Sequence, residues 1–397
     1  MATGLSKNTS VVAVCEEVTQ GTYVGPASAS DGYVQPLDSD FIPQFKKELI
    51  ERSILTSSIG VVTPRTGLKS CSGSLPVEFR ASGTEGADVD YGILLEAALG
   101  ATRSISTTTT TKASGNTGSV LQIEDADISK FNVGDIIVVK ESGEHWPAAI
   151  TAKATGVGVA SITLSPPKPS GSWSNSVVVS KSKMYYTGNS GHPAFSVSVW
   201  PANEILMKAI GCRVSSMSLE SFSTGQVASL NFAYEGLNFD EVDGAAPHTA
   251  TYDSGLPPII LNACIFQDGV EVYVNEFSIS VENELGFIKN TCDGNISSRP
   301  TKRTISGSFN PYKDDTSVAN FTRFNADTPF SLFVSAYNPS STAGEMTFGS
   351  CIGIYLPNCL IKERTIGDID GILTEEISFS ADRGSAGTTE EIYYGLI

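Results

Sequence analysis

Histidine is nearly missing: the chain of 397 residues carries three, His145, His192 and His248. Each stands apart, two of them beside proline, so a Ser-His-Asp or Cys-His arrangement has few candidates and all three read as loop histidines. Charge is scarce as well, at 17% of residues, and it leans acidic: 26 Lys and Arg face 43 Asp and Glu, for a net charge of −17. Gripping nucleic acid by its phosphates needs clustered cations that release counterions, which this balance excludes. It leaves DNA free to slide past without sticking. Glycine-rich phosphate loops are missing, because the stretch from Gly83 to Gly92 has glycines but no Lys-Ser/Thr pair and no strand–helix unit around it. Seven cysteines, with no CxxC spacing and no histidine nearby, exclude a zinc site and read as reduced, mostly buried thiols of a chain made in a cytoplasm. No apolar run approaches the ~18 residues of a membrane span. The first residues hold one lysine and a short apolar run instead of a signal-peptide core, so the sequons at Asn8, Asn295 and Asn320 read as accidental. No membrane, metal or cofactor is expected.

Two acidic pairs remain. Asp368 and Asp370 in Gly-Asp-Ile-Asp-Gly could open a calcium loop, but the glutamate that should follow is out of place, and a turn accounts for them. Asp88 and Asp90 precede a helix starting near Tyr91, where negative charge suits the positive helix end better than it suits a glycosidase pair.

What the chain has is alternation of apolar and polar residues. In Ser74–Arg80, Leu75, Val77 and Phe79 face one way and Glu78 and Arg80 the other. Comparable strands are Phe195–Trp200, Cys212–Leu219, Val227–Tyr234, Val270–Val281, Thr304–Asn310 and Leu373–Ser380. Helical spacing appears in Val89–Leu99, through Tyr91, Leu94, Leu95 and Ala98. It recurs at Val318, Phe321 and Phe324, with Asp315 or Thr316 as the cap. The fold class is all-β.

One motif occurs twice. Residues 69–80, KSCSGSLPVEFR, reappear 234 positions later as 303–314, RTISGSFNPYKD, with Gly73-Ser74 on Gly307-Ser308. Further along, Gly211-Cys212 matches Asn358-Cys359 at an offset of 147. The shortfall places about 87 extra residues inside the first copy. The expected organisation is 1–101 and 189–245 as the first repeat, 246–397 as the second, and 102–188 as an inserted module. Each repeat reads as a β-sandwich or barrel with one short helix. The insertion opens on the threonine run after Ser106, read as a flexible linker, and its short strands around Phe131-x-Val-Gly-Asp135 suggest a small SH3-like barrel. An insertion at an exposed loop should project outward.

Duplicated sandwiches leave edge strands that must be blunted or paired with a neighbour, and closed pairing gives a ring. Three chains of two units would make six similar units around an axis. The stretch from Phe45 to Lys69, with Glu48, Glu51, Arg52 and Arg65, is too long for a tight hairpin and reads as an arm that orders on a neighbour, or as a surface loop.

Glu17-Val-Thr-Gln-Gly-Thr-Tyr23, Ile50-Glu-Arg52, Ser72–Gly83, Tyr91–Gly100, Gly211-Cys212, Tyr234-Glu-Gly236 and Asp370-Gly371 with its following strand resemble the major tail tube proteins of long-tailed bacteriophages. The resemblance covers both repeats and skips the insertion. It implies a structural virion protein with no enzymatic activity, assembled in the host cytoplasm into stacked rings. The partners it implies are other copies of the chain, a tape-measure protein, a tail terminator and distal tail or baseplate proteins. DNA would pass through the lumen during ejection. By the same resemblance the arm, with Glu48, Glu51, Arg52 and Arg65, makes ring-to-ring contacts, and Glu78, Glu235 and Glu376 line the lumen. A second reading is a carbohydrate-binding or host-surface adhesin, in which Trp146 and Trp173 of the insertion, with Trp200, supply stacking platforms. An esterase or glycosidase on a β scaffold comes third, opposed by the poverty of histidine.

Overall fold

The computed structural model describes residues 5–55, 59–60, 62–112, 115–156, 158–314, 317–384 and 390–397. The fold is all-β. Among the described residues α-helix is confined to Gly92–Leu99 and Val318–Ala326. The second helix has Ser317 as its N-cap; Asp315 and Thr316, expected to cap it, lie outside the described residues. Neither Asp88 nor Asp90 caps the first helix, whose N-cap, Tyr91, makes no side-chain capping bond and turns its hydroxyl to Arg80 O instead. Asp88 instead accepts from the Tyr185 hydroxyl, and Asp90 is drawn into an ion pair with Arg80.

Eight strands form a continuous antiparallel wall. Their order is Gln44–Ile50, Arg65–Glu78, Ser229–Gly236, Ile205–Glu220, Val274–Asn290, Gly294–Pro311, Ile372–Ala381 and Ile352–Ile369. The alternation that builds each strand puts apolar residues on one face: Leu75 and Val77, Leu230 and Phe232, Val281, Ile305 and Phe309, Ile377 and Phe379 are all buried. Val270–Val281, expected as one strand, is two. The Asp268-Gly269 turn, with both φ positive, makes Val270–Glu271 a hairpin partner of Ala263–Gln267 before Val274–Asn290 begins.

The two halves of the wall pair in the same order with the same irregularities. Gly73 lies opposite Tyr234 and Gly307 opposite Phe379. A Cβ on Gly73 would stand 2.5 Å from the Tyr234 hydroxyl, and one on Gly307 would stand 2.6 Å from the Phe379 ring. In both places the aromatic side chain takes the space a Cβ would need, so glycine suits the position. A bulge between Val214 and Ser216 has its counterpart between Ile361 and Glu363, and one between Phe195 and Val197 recurs between Phe330 and Leu332. Each bulge bends a long strand, so that Ile205–Glu220 and Ile352–Ile369 start in an outer sheet and finish in the wall.

Behind the wall lie two outer sheets. One runs Tyr33–Val34, Val11–Glu16, Phe195–Trp200, Ile205–Glu220 and Asn238–Asp243. The other runs Ala263–Gln267, Phe330–Ala336, Ile352–Ile369, Tyr393–Leu396, Ser182–Thr187 and Gly100–Ile105. One apolar core fills the space between wall and outer sheets across both halves.

The inserted residues form their own six-stranded sheet, in the order Thr109–Thr110, Val178–Val179, Ile136–Glu141, Glu144–Ala154, Ala160–Ser165 and Val120–Ile123. It curls until its two ends meet, the Lys112 amide donating to the Gln122 carbonyl at 2.7 Å. Three expectations need correction. The boundaries at 102 and 188 cut through the ladder of Gly100–Ile105 with Ser182–Thr187, which belongs to the outer sheet. The threonine run is not a free linker, since Thr109 and Thr111 are buried and Thr109–Thr110 is a strand. The module does not stand away from the body either. Ile136, Val138, Ala149 and Trp146 pack against Phe266, Phe333, Tyr355 and Tyr393 of the outer sheet in a shared apolar cluster.

Candidate assembly interface

The polar face of the wall is rich in serine and glutamate. Ser72, Ser74, Ser216, Ser218, Ser306 and Ser378 alternate with the buried residues of their strands and so turn away from the core. Register places Glu78 and Glu220 beside Ser229, Glu235 beside Ser72, Glu282 beside Ser216, Glu363 beside Ser378 and Glu376 beside Thr365. Against these stand Lys46 and Lys302 on the same face. The three glutamates singled out from sequence, Glu78, Glu235 and Glu376, therefore share one surface although they are far apart in the chain. Nearby acidic side chains at this density give a negative field that falls off within about 8 Å at physiological salt.

The wall contains one junction between its halves. Ser216, Met217, Ser218 and Leu219 pair with Glu282, Val281, Ser280 and Ile279. Helix Gly92–Leu99 lies over this junction, and its last carbonyls are satisfied from the other half: the Asn283 amide donates to Ala98 O at 2.9 Å and Arg303 to Leu99 O at 3.4 Å. Donors at this end also suit the helix dipole.

Each flank of the wall is open. Among the described residues Gln44–Ile50 pairs only with Arg65–Glu78, and residues 363–369 only with Ile372–Ala381. Apolar side chains cluster on these flanks. Leu49 and Ile50 are exposed on one, and Ile366, Val318, Phe321 and Phe324 on the other. Both flanks carry mixed charge: Lys46, Lys47 and Glu48 stand on the first, with Lys69 on the next strand, and Lys362, Glu363, Arg364 and Asp368 on the second, with Asp327 at the end of the second helix.

Glu48, Glu51, Arg52 and Arg65 are all exposed, at the base of the arm. Glu48 and Arg65 belong to the paired strands rather than to a loop, because the ladder runs as far as Ile50 opposite Arg65. The arm's tip at 56–58 and 61 lies outside the described residues. The second hairpin leans on the first, where Asn295 donates to Lys69 O at 3.4 Å.

The tryptophans are placed differently from what a glycan platform requires. Trp173 is buried in the core of the insertion beneath the Lys168 ammonium, and Trp200 is buried against Tyr33. Trp146 is partly buried, edge-on to Phe266, with its indole N–H donating to Pro166 O at 3.1 Å. Trp173 and Trp200 therefore offer no exposed ring. Two of the three histidines are packed into the fold: His145 stacks on Phe348, and His192 Nδ1 lies 2.9 Å from Ala97 O. Burial pushes both below the ordinary histidine range. Among the described residues no group of His, Cys, Asp and Glu is arranged to hold a metal ion, and no disulfide joins the seven cysteines. Among the described residues no helix is long and apolar enough to cross a membrane.

Sequence reasoning missed the exposed stripe on the second helix as a surface feature. Its signal was present: Val318, Phe321 and Phe324 recur at three-residue spacing between polar residues, in a helix too short to be stable by itself. It also missed the buried carboxylate Glu375, which pairs with Arg364 and with Lys313.

Compared with known families, residues 7–381 match the family described as phage tail tube protein. No curated protein matches the chain.

Proposed function

The chain belongs to the phage tail tube protein family and is a structural component of the virion tail, and from that premise we propose that three copies close into a ring whose eight-stranded walls form one continuous barrel. The observation that carries this is the wall itself, with two open flanks and an internal junction between two halves of the same pairing order. A strand flank left unpaired over this length invites another chain. Two matching halves per chain give a threefold ring sixfold character. The matching bulges and glycines support an origin of the halves by duplication.

In this reading the serine and glutamate face lines the lumen. Glutamates there would repel phosphate, and serine hydroxyls would keep the surface wet without holding DNA, so the duplex passes during ejection. The arm at Gln44–Ile50, with Glu48, Glu51, Arg52 and Arg65, would reach the adjacent ring. Partners of the stacked tube would be a tape-measure protein in the lumen, a terminator at one end and distal tail or baseplate proteins at the other. The subunits would assemble in the host cytoplasm.

Electron microscopy of the purified chain tests the proposal. Rings or striated tubes with three chains per layer are expected, with mass per ring measured by light scattering. A monodisperse monomer at all concentrations would overturn it.

A further inference from the structure

The internal junction specifies how the open flanks meet. We infer that residues 363–365 of one copy pair with residues 44–46 of the next in the register of Ser216–Ser218 with Ser280–Glu282, setting Glu363 opposite Lys46 and Thr365 opposite Gln44, with the ladder ending at Pro43, which has no N–H to donate. The inference rests on the ring proposed above and adds the residue-level seam.

The correspondence comes from the ladders. Ser72 and Ser306 occupy matching positions 234 residues apart, Gln44 is opposite Ser72, and Ser280 is opposite Ser306. Gln44 therefore matches Ser280, Lys46 matches Glu282 and Lys47 matches Asn283. Phe41, buried, falls on Phe277, also buried. On the other flank the shared bulge fixes Ser216 to Glu363, Ser218 to Thr365 and Leu219 to Ile366.

Three properties of the flanks fit this seam. In the internal junction Ser216 stands opposite Glu282, and in the seam the counterparts are Glu363 and Lys46, opposite charges on the same face. Opposite charges directly across a ladder stabilise it, and like charges oppose it. Leu219 is 3% exposed inside the junction, whereas its counterpart Ile366 is 54% exposed on the open flank. A neighbour in this register covers it.

The third property is at the helices. Both end in a left-handed cap, Gly100 and Asp327, whose amides donate four residues back. Aligned by those caps, Ala98 and Leu99 fall on Asn325 and Ala326, while Asn283 and Arg303 fall on Lys47 and Lys69. The seam thus delivers two ammonium groups from the next copy to the C-terminal end of Val318–Ala326, where the helix dipole favours cations.

A cysteine pair reads the register directly. Gln44→Cys with Thr365→Cys puts two thiols at directly opposed positions, within disulfide reach across an antiparallel ladder. Mild oxidation of assembled rings is expected to give covalent multimers of up to three chains on non-reducing gels. The single variants and a displaced pair, Lys47→Cys with Thr365→Cys, should give none. Rings that form but cross-link only through the displaced pair would overturn this register and leave the ring standing. A wild-type chain that never forms rings removes both.

Charge reversal supplies an independent reading. Lys46→Glu and Glu363→Lys should each raise the concentration at half-assembly about tenfold, equivalent to ~0.9 kcal/mol at each of three seams, and the double variant should return it to near wild type. Equal additive losses without rescue would also sink the register. Both side chains are exposed, so circular dichroism of each variant should match wild type.

Discussion

The helices Gly92–Leu99 and Val318–Ala326 follow corresponding strands and end in the same left-handed cap, yet they meet opposite surroundings. In the first, Leu94, Leu95, Ala97, Ala98 and Leu99 are all buried, packed against Ile205–Glu220 and the outer strands Val11–Glu16, Gly100–Ile105 and Ser182–Thr187, with Asn283 and Arg303 of the second half bonded to its last carbonyls. In the second, Val318, Phe321 and Phe324 face outward and only Asn320 is buried. Aligned by their caps, Leu94 and Ala97 correspond to Phe321 and Phe324. In the ring proposed above the first helix lies at the internal junction and the second at an open flank, so the same stripe is core in one half and surface in the other.

The largest effect should come from reversing the helices' apolar residues. Leu94→Asp buries an unpaired carboxylate and is expected to cost more than about 4 kcal/mol, leaving little folded protein. Phe321→Asp should leave the melting temperature of the isolated chain within about 2 °C of wild type, yet abolish rings in the microscope. Comparable destabilisation by both substitutions would break the comparison, because Phe321 would then be part of the core.

The paired glycines give a smaller, sharper contrast. Gly307→Ala sets a Cβ 2.4 Å from Ser278 O and 2.6 Å from the Phe379 ring, neither of which can swing aside. A loss of about 2–3 kcal/mol in urea unfolding is expected. Gly73→Ala meets only the side chain of Tyr234, with no backbone atom among its nearest contacts, so a smaller loss of about 1–2 kcal/mol is expected. Equal costs would mean that the halves are more alike in packing than their aromatic partners suggest.

These same glycines show why the wall was legible in the sequence. A glycine under an aromatic ring, with serine beside it and alternating residues around it, is a local pattern that survives even where Leu75 becomes Phe309 and Phe232 becomes Ile377. The strand Phe195–Trp200 was found with its limits, since both flanks are turn residues. The docked insertion was harder to see. Ile136, Ile137, Val138 and Val139 form an unbroken apolar run, which in a strand signals cover on both faces. Ile137 and Val139 enter the module's own core, and Ile136 and Val138 enter the cluster against the outer sheet. The partner for that second face, including Tyr393 near the end of the chain, is remote in sequence and carries no local mark. Deleting 106–181 while keeping both flanking strands should therefore expose Phe266, Phe333 and Tyr355, and yield a folded wall that aggregates through that patch. A soluble, monodisperse product would show that the insertion adds no cover.

The last contrast concerns buried carboxylates and is the smallest. In the first half, burial pushes Asp90 up to about 6, against the pull of Arg80, which holds it at 2.5 Å. In the second half, burial also opposes ionisation of Glu375, but hydrogen bonds from Arg364 and Lys313 outweigh it and lower the group below its ordinary value. The two should bend the stability profile in opposite directions. Asp90 binds its proton more tightly folded than unfolded, so its contribution is fully present below about pH 4 and is lost as pH rises through about 6, on the order of 3 kcal/mol in all. Glu375 binds its proton less tightly when folded, so its contribution is present above the ordinary glutamate range and is lost as acid titrates the folded group. Urea midpoints across pH 3 to 7 for Asp90→Asn and Glu375→Gln, each subtracted from wild type, isolate the two terms. The Asp90 difference curve should change between about pH 4 and 6 and the Glu375 curve below about 4.5, with opposite slopes. Slopes of the same sign would mean that Arg80 holds Asp90 as firmly charged as Arg364 and Lys313 hold Glu375, and that the halves share this feature as well.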